Sequence, residues 1–231
     1  MDPTADNLLE LRVLVPPAGV HGAAGAVECR PVVDGRDVLA GAFDEGPAAD
    51  PDDLLVPGGP LEATDAPHEV LIAEAECTEG CCGALRFTVR REGRRVVWGG
   101  WRNPADNGVG LPEFRFDAEQ YAAELRRAAA DRGWEWPART VARLLRERLR
   151  AHPDWPGRWD CELRAVEARP GEPEQITVLL EHSARSAGGP YRPRRQFRLS
   201  LAVTGEEPAD QAERLLARLT AGDPRGSGEP C

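Results

Sequence analysis

Lysine is missing from this chain; all 29 basic residues are arginine. That absence removes several chemistries at once: no Schiff-base lysine, no lysine general base, and no P-loop lysine to reach a phosphate. Long apolar runs are missing too. No stretch approaches the length of a membrane-crossing helix, so none is expected. The opening MDPTADNLLELRVLV has acids rather than bases ahead of its apolar run, which argues against a secretory signal. There is no G-x-S-x-G and no H-E-x-x-H, and His21, His68, His152 and His182 stand singly in loops or at element ends. These absences point to a soluble, cytoplasmic protein without a hydrolase or metalloprotease signature.

What is present is a globular composition, 41% hydrophobic and 29% charged, with 24 glycines and 21 prolines that predict long irregular connections. The net charge of -10 is unevenly spread. Residues 1–85 hold 17 acids and 3 arginines, and residues 86–231 hold 22 acids and 26 arginines. The simplest source of this asymmetry is solvated acidic loops such as DEGPAADPDD; the alternative is an arginine-bearing face for an acidic partner.

Alternation marks the strands. Leu9, Leu11, Val13 and Val15 predict a half-buried strand, and AVECRPVV a second extended run. Gly19, Gly22 and Gly25 precede a strand, not a helix, so they form a loop and not a phosphate cradle. Residues 34–67 read as irregular chain wrapping a core, and Asp50, Asp52 and Asp53 lack the glycine and distant glutamate of a calcium loop. EVLIAEAE, ALRFTVRR and RRVVWGGW predict an antiparallel meander with a tight turn at Glu92-Gly93.

The period then changes. Asp117 and Gln120 resemble a capping box opening a helix that ends at Gly133, and Pro137 opens a second helix that Pro153 stops. Trp159, Cys161, Leu163 and Ala165 predict a strand, followed by two more around 176–180 and 197–203. A helix over 208–220 closes the series. The fold class is therefore α+β. The short HPDWPGR gap favours one compact domain over 1–222, with an acidic β-rich region (residues 1–116), a helical segment (117–152) and a βββα region (158–220). The tail 223–231 is expected to be disordered.

The candidate sites are few. Cys77 and Cys81, separated by three residues in CTEGCC, have the spacing of a zinc knuckle, but a tetrahedral site needs four ligands and no second pair is adjacent in sequence. A redox role wants C-x-x-C before a helix, which this stretch lacks. The remaining reading is a cysteine-rich turn between strands. Six tryptophans fall between residues 98 and 159, and Trp134-Glu135-Trp136 cannot bury both rings in one direction if extended. With Arg139 and Arg143 on the following helix, Trp134 and Trp136 are the expected protein-binding patch. A pI near 5 argues against nucleic acid.

The Cys-Gly cluster followed by VVWGGW and RFDAEQYAAELRRA, with ECRPVVDGRDVLA earlier and DPR later, resembles a group of uncharacterised actinobacterial proteins. The resemblance implies a cytoplasmic protein of a high-GC bacterium and assigns no activity, cofactor or site residue. The expected function is non-enzymatic binding of a protein partner, as an accessory or immunity-like component without a cofactor. The alternatives are a zinc- or thiol-dependent protein built on Cys77 and Cys81, or an enzyme whose groups converge only in the fold.

Overall fold

The computed structural model describes residues 6–17, 19–20, 25–75, 83–105, 108–183 and 194–230. The fold is α+β, with three antiparallel sheets among those residues. No described helix is long and apolar enough to cross a membrane. The chain divides into two compact units, Met1–Trp134 and Glu135–Cys231, where the sequence favoured one body. The division falls inside Trp134-Glu135-Trp136, not at HPDWPGR, so the two helices expected to form one segment belong to different units.

In the first unit, β1 (Leu9–Leu14), β2 (Glu28–Val33) and β3 (Arg36–Asp37) form one sheet. The second sheet runs β4 (His68–Glu74), β5 (Ala84–Glu92), β6 (Arg95–Arg102) and β7 (Phe114–Asp117) in that order. Asp34 and Gly35, both at positive φ, make the β2–β3 turn, and the β5–β6 turn centres on Gly93-Arg94. Asn7 bridges Phe116 on one side, and Ala48 bridges Ala73 on the other. Ala49 accepts from the Cys29 amide (2.9 Å) and donates to the Ile72 carbonyl (2.8 Å). Hydrogen bonds therefore run in a ring from β1 through β2, residues 48–49 and β4–β7 back to β1.

The inward positions of that ring are the alternating apolar residues of the sequence: Leu9 and Leu11, Cys29, Val70 and Ile72, Leu85, Phe87 and Val89, Trp98 and Phe116. Each large side chain buried this way contributes about 1.5–3 kcal/mol. A bulge opposite Phe87, with Gly100 at φ +60, adds one residue to β6. Trp98 and Trp101, three residues apart, consequently both pack on Phe87, at centroid distances of 4.5 and 4.7 Å. Residues 34–67 wrap this core as expected, burying Leu39, Leu54, Leu55 and Leu61 around one short helix, α1 (Pro51–Leu54). Asp50 is that helix's cap, accepting from the Asp52 amide at 2.8 Å, which gives the acidic triplet a structural role.

Helix α2 (Ala118–Ala130) starts at Asp117, whose carboxylate accepts from the Glu119 and Gln120 amides. It ends at Asp131, before Gly133. Gln120 does not close the expected capping box; its side-chain amide donates to the Leu9 carbonyl (3.0 Å). Along the same helical face, Glu124 accepts from the Leu11 amide (2.6 Å) and Arg127 donates to the Leu11 carbonyl (2.8 Å). Side chains of α2 thus occupy the β1 edge where a further strand would lie.

The second unit is a sheet of order β11-β10-β9-β8 with helices packed on one face: α3 (Pro137–Arg150), α4 (Asp154–Gly157) and α5 (Pro208–Thr220). Its strands are β8 (Cys161–Glu167), β9 (Gln175–Ser183), β10 (Arg194–Ala202) and β11 (Glu229–Pro230). Val141, Leu145 and Leu149 of α3 meet Ile176, Val178, Leu180, Leu199 and Leu201 of the sheet, with Leu215, Leu216 and Leu219 of α5. Two expectations from the sequence change here. A bulge between Leu163 and Ala165 shifts the alternation of β8, so Val166, rather than Ala165, is fully buried. Within the tail expected to be disordered, Pro224–Ser227 form a 3-10 turn, and Glu229–Pro230 pair with Phe197 and Arg198.

Candidate functional site

The expected tryptophan and arginine patch does not form as an exposed surface. Arg139 is buried, at 3% exposure, and Trp136 packs on the core of the second unit. Arg143 is held by Glu135 (2.7 Å) and Glu147 (3.2 Å), with its own side chain 19% exposed and that of Glu135 2% exposed. Trp134 is half-buried, its indole N–H donating to the Asp131 carbonyl at 3.0 Å. The reason is helical geometry: Arg139 follows Ala138 on the side of α3 that carries Ala142 and Leu145 inward, so its stem goes into the fold. Cys77 and Cys81 lie outside the described residues.

Thiol chemistry is unfavourable at the two described cysteines. Cys29 is fully buried, and burial pushes its thiol up to about 12, with Asp50 and Glu124 adding to the effect. Cys161 stands opposite His182 in the β8–β9 register, which invites a nucleophile and base pairing. Burial raises its pKa, Arg225 opposes that rise, and Asp223 and Asp160 reinforce it. The thiol points to the Trp159 carbonyl (3.4 Å). His182 Nε2 lies 3.0 Å from Arg225 Nη1, a donor, so that nitrogen is an acceptor committed to Arg225.

The feature that stands out is the outer edge of β10. The Val203 amide donates to the Glu174 carbonyl beside β9 (2.7 Å), and antiparallel pairing alternates, so odd-numbered residues of β10 bond inward to β9. Even-numbered residues therefore turn their N–H and C=O outward. Outward-facing Arg198 pairs with Glu229 of β11. The Thr204 amide and carbonyl are both taken by the side chain of Gln211 on α5, at 3.0 and 2.9 Å. Between these two covered positions lie Ser200 and Ala202, both exposed. Beside them is a groove, open to solvent, whose walls include Leu199, Leu201, Arg218, Leu219, Asp223 and Pro224.

Charge marks the same place. Several arginines of the second unit are held in ion pairs, largely at the surface: Arg148 to Glu213, Arg164 to Glu162 and Glu181, Arg214 to Glu206, and Arg225 to Asp223. Arg150, Arg158, Arg195, Arg198 and Arg218 make no ion pair among the described residues of this unit; of these, Arg198 stands on the exposed edge and Arg218 lines the groove. Sequence reading missed this site because it depends on which backbone groups point outward. The usable signal was the alternation of Gln196, Arg198, Ser200 and Ala202 against Phe197, Leu199 and Leu201, which assigns the faces but not the edge. No family model matches the chain, and comparisons with characterised proteins and with solved structures find no match.

Proposed function

We propose that this chain is a cytoplasmic, non-enzymatic protein-binding component, accessory or immunity-like in kind, that docks its partner on the outer edge of β10. The observation carrying this reading is the uncovered pair Ser200 and Ala202, between an edge position closed by β11 and one closed by Gln211. An exposed strand edge offers backbone donors and acceptors in the fixed spacing that an added strand requires, and an adjacent groove takes alternate side chains. Each backbone hydrogen bond made there contributes about 0.5–1.5 kcal/mol net.

Two other surfaces compete less well. The exposed large hydrophobics Leu8, Leu14 and Val15 all lie on or beside β1. α2 closes that edge as far as Leu11, and Pro16-Pro17, which lack an N–H, end it directly after Val15, so only Val13 and Val15 keep outward donors. Nucleic acid is disfavoured by the net charge of -10.

The test is site-specific photo-crosslinking in cells that produce the protein. A crosslinker at Gln196 or Ala202 should give one discrete protein adduct, which Ser200→Pro removes. That substitution deletes an outward N–H and no bond to β9. An adduct that persists in Ser200→Pro, or that forms only from Leu14, would overturn the assignment.

A further inference from the structure

The β10 edge is already partly occupied by the chain itself. Glu229 and Pro230 pair with Arg198 and Phe197, the arrangement a partner strand would adopt. Proline suits that register, because Phe197 is an inward-bonding position and needs no donor from outside. Only two residues pair, so the strand contributes little by itself. The tail is held mainly from its preceding turn. The Asp223 carboxylate accepts from the Arg225 amide (3.0 Å) and from its guanidinium (2.7 Å), while Arg225 Nη1 reaches His182 Nε2 at 3.0 Å. The latch is thus made by Asp223, Arg225 and His182, and the strand follows from it.

We infer that the partner supplies an extended segment alternating acidic and apolar residues, which displaces β11 and pairs along β10 from Arg198 to Ala202. This rests on the strand-docking reading above and specifies its ligand. Two observations fix the chemistry. On the face away from the helices, the register sets Glu229 of the tail opposite Arg198, and Arg198 makes no ion pair among the described residues, so a carboxylate fits at this position and the guanidinium is open to one. On the helix side, Gly228 of the tail lies so close that a Cβ there would meet Phe197 at 3.3 Å and Leu199 at 3.5 Å, so displacing the tail uncovers apolar side chains, beside a groove lined by Leu219 and Pro224 together with Arg218 and Asp223. Period-two alternation delivers both requirements from one strand. Displacement is needed because the open stretch of Ser200 and Ala202 is too short to hold a strand by itself.

The test uses the full chain and two acetylated six-residue peptides, one alternating glutamate with valine and one alternating lysine with valine. Amide exchange by NMR reads the edge directly. The acidic peptide should slow exchange at Ser200 and Ala202 by roughly tenfold or more. Arg225→Gln, which loosens the latch, should tighten its binding several-fold. Ser200→Pro should abolish binding, with Ala202→Pro as the second variant should the first not fold. Arg198→Glu should reverse the preference towards the lysine peptide. If the lysine peptide protects Ser200 and Ala202 equally well in the unsubstituted chain, the acidic specificity falls and the docking edge stands. If neither peptide protects them, with the latch intact or loosened, both readings fall.

Discussion

The carboxylate of Glu124 on α2 accepts the main-chain N–H of Leu11 on β1 at 2.6 Å, across 113 residues of sequence. Glu124 is 8% exposed, and the same carboxylate receives two bonds from Arg127, which in turn donates to the Leu11 carbonyl. A helix side chain here completes a sheet edge. Gln211 does the same for Thr204 in the second unit. In the first unit Gln120, Glu124 and Arg127 close the β1 edge as far as Leu11 by the turn-by-turn spacing of a helix, whereas in the second Gln211 caps only the end of the β10 edge, at Thr204.

Replacing Glu124 by alanine removes that closure and leaves the buried Leu11 N–H without its acceptor, while half-exposed Arg127 keeps its bond to the Leu11 carbonyl. The expected loss is about 1–3 kcal/mol, read as a lower urea midpoint with an unchanged slope. Gln120→Ala, which frees only the Leu9 carbonyl, should lose about 1 kcal/mol. Equal, small effects from both would mean that α2 merely lies near β1.

Much of the fold was legible, and the failures have identifiable causes. Alternation located β1, β2 and β4–β6, because in a one-sided sheet the period-two pattern is the burial pattern. β7 was missed, since Phe114–Asp117 is a four-residue strand running directly into a helix cap at Asp117, and the helix signal dominated. The β2–β3 hairpin had its signature in Asp34-Gly35, which the acidic composition of the region obscured. The binding patch failed because helical spacing around Trp136, Arg139 and Arg143 says which residues share a face, not which face turns inward. The β10 edge was hidden for a deeper reason: hydrogen-bond parity belongs to a strand pair, and one strand's sequence does not contain it.

Tyr121 gives a pH-dependent prediction. It is 2% exposed, donates to the Leu61 carbonyl at 2.6 Å and accepts from Trp98 at 3.1 Å. Burial raises its pKa well above the ordinary tyrosine value, outweighing the opposing Trp98 bond. The folded state therefore holds this proton where the unfolded state releases it. Stability is fully present below about pH 10 and falls as pH rises beyond that. Urea midpoints measured between about pH 9 and 11 should decline, and Tyr121→Phe should flatten the decline while lowering stability throughout. An unaltered slope in Tyr121→Phe would assign the alkaline loss to other groups.

The cysteines separate the protein-binding reading from its metal alternative. Protein purified without chelator should show the bare chain mass by native mass spectrometry, and Cys77→Ser and Cys81→Ser should leave the urea midpoint close to that of the unsubstituted chain. One bound zinc, together with a large loss in both variants, would install the metal reading instead. Cys29 should resist thiol reagents until urea unfolds the chain, because its buried thiol ionises only near 12.

The last prediction concerns the division of the chain. The buried cluster of the first unit draws on residues between Leu9 and Ala128, that of the second on residues between Ala138 and Leu219, and they share no member. Each unit also closes its own backbone: the first as a hydrogen-bonded ring, the second as a four-stranded sheet backed by α3 and α5. Formal charge divides at the same place, with 24 acids and 13 arginines in residues 1–134 against 15 and 16 in residues 135–231. Self-repulsion within a compact unit falls as salt screens it, so the two should respond differently to ionic strength. Expressed separately, fragments 1–134 and 135–231 should each unfold cooperatively in urea. Raising salt from about 0.01 M to 0.15 M, which shortens the screening length from roughly 30 to 8 Å, should stabilise the first more than the second. A fragment 135–231 that lacks a cooperative transition would show that the second core depends on the first, and the division into units would then describe contact density without describing folding.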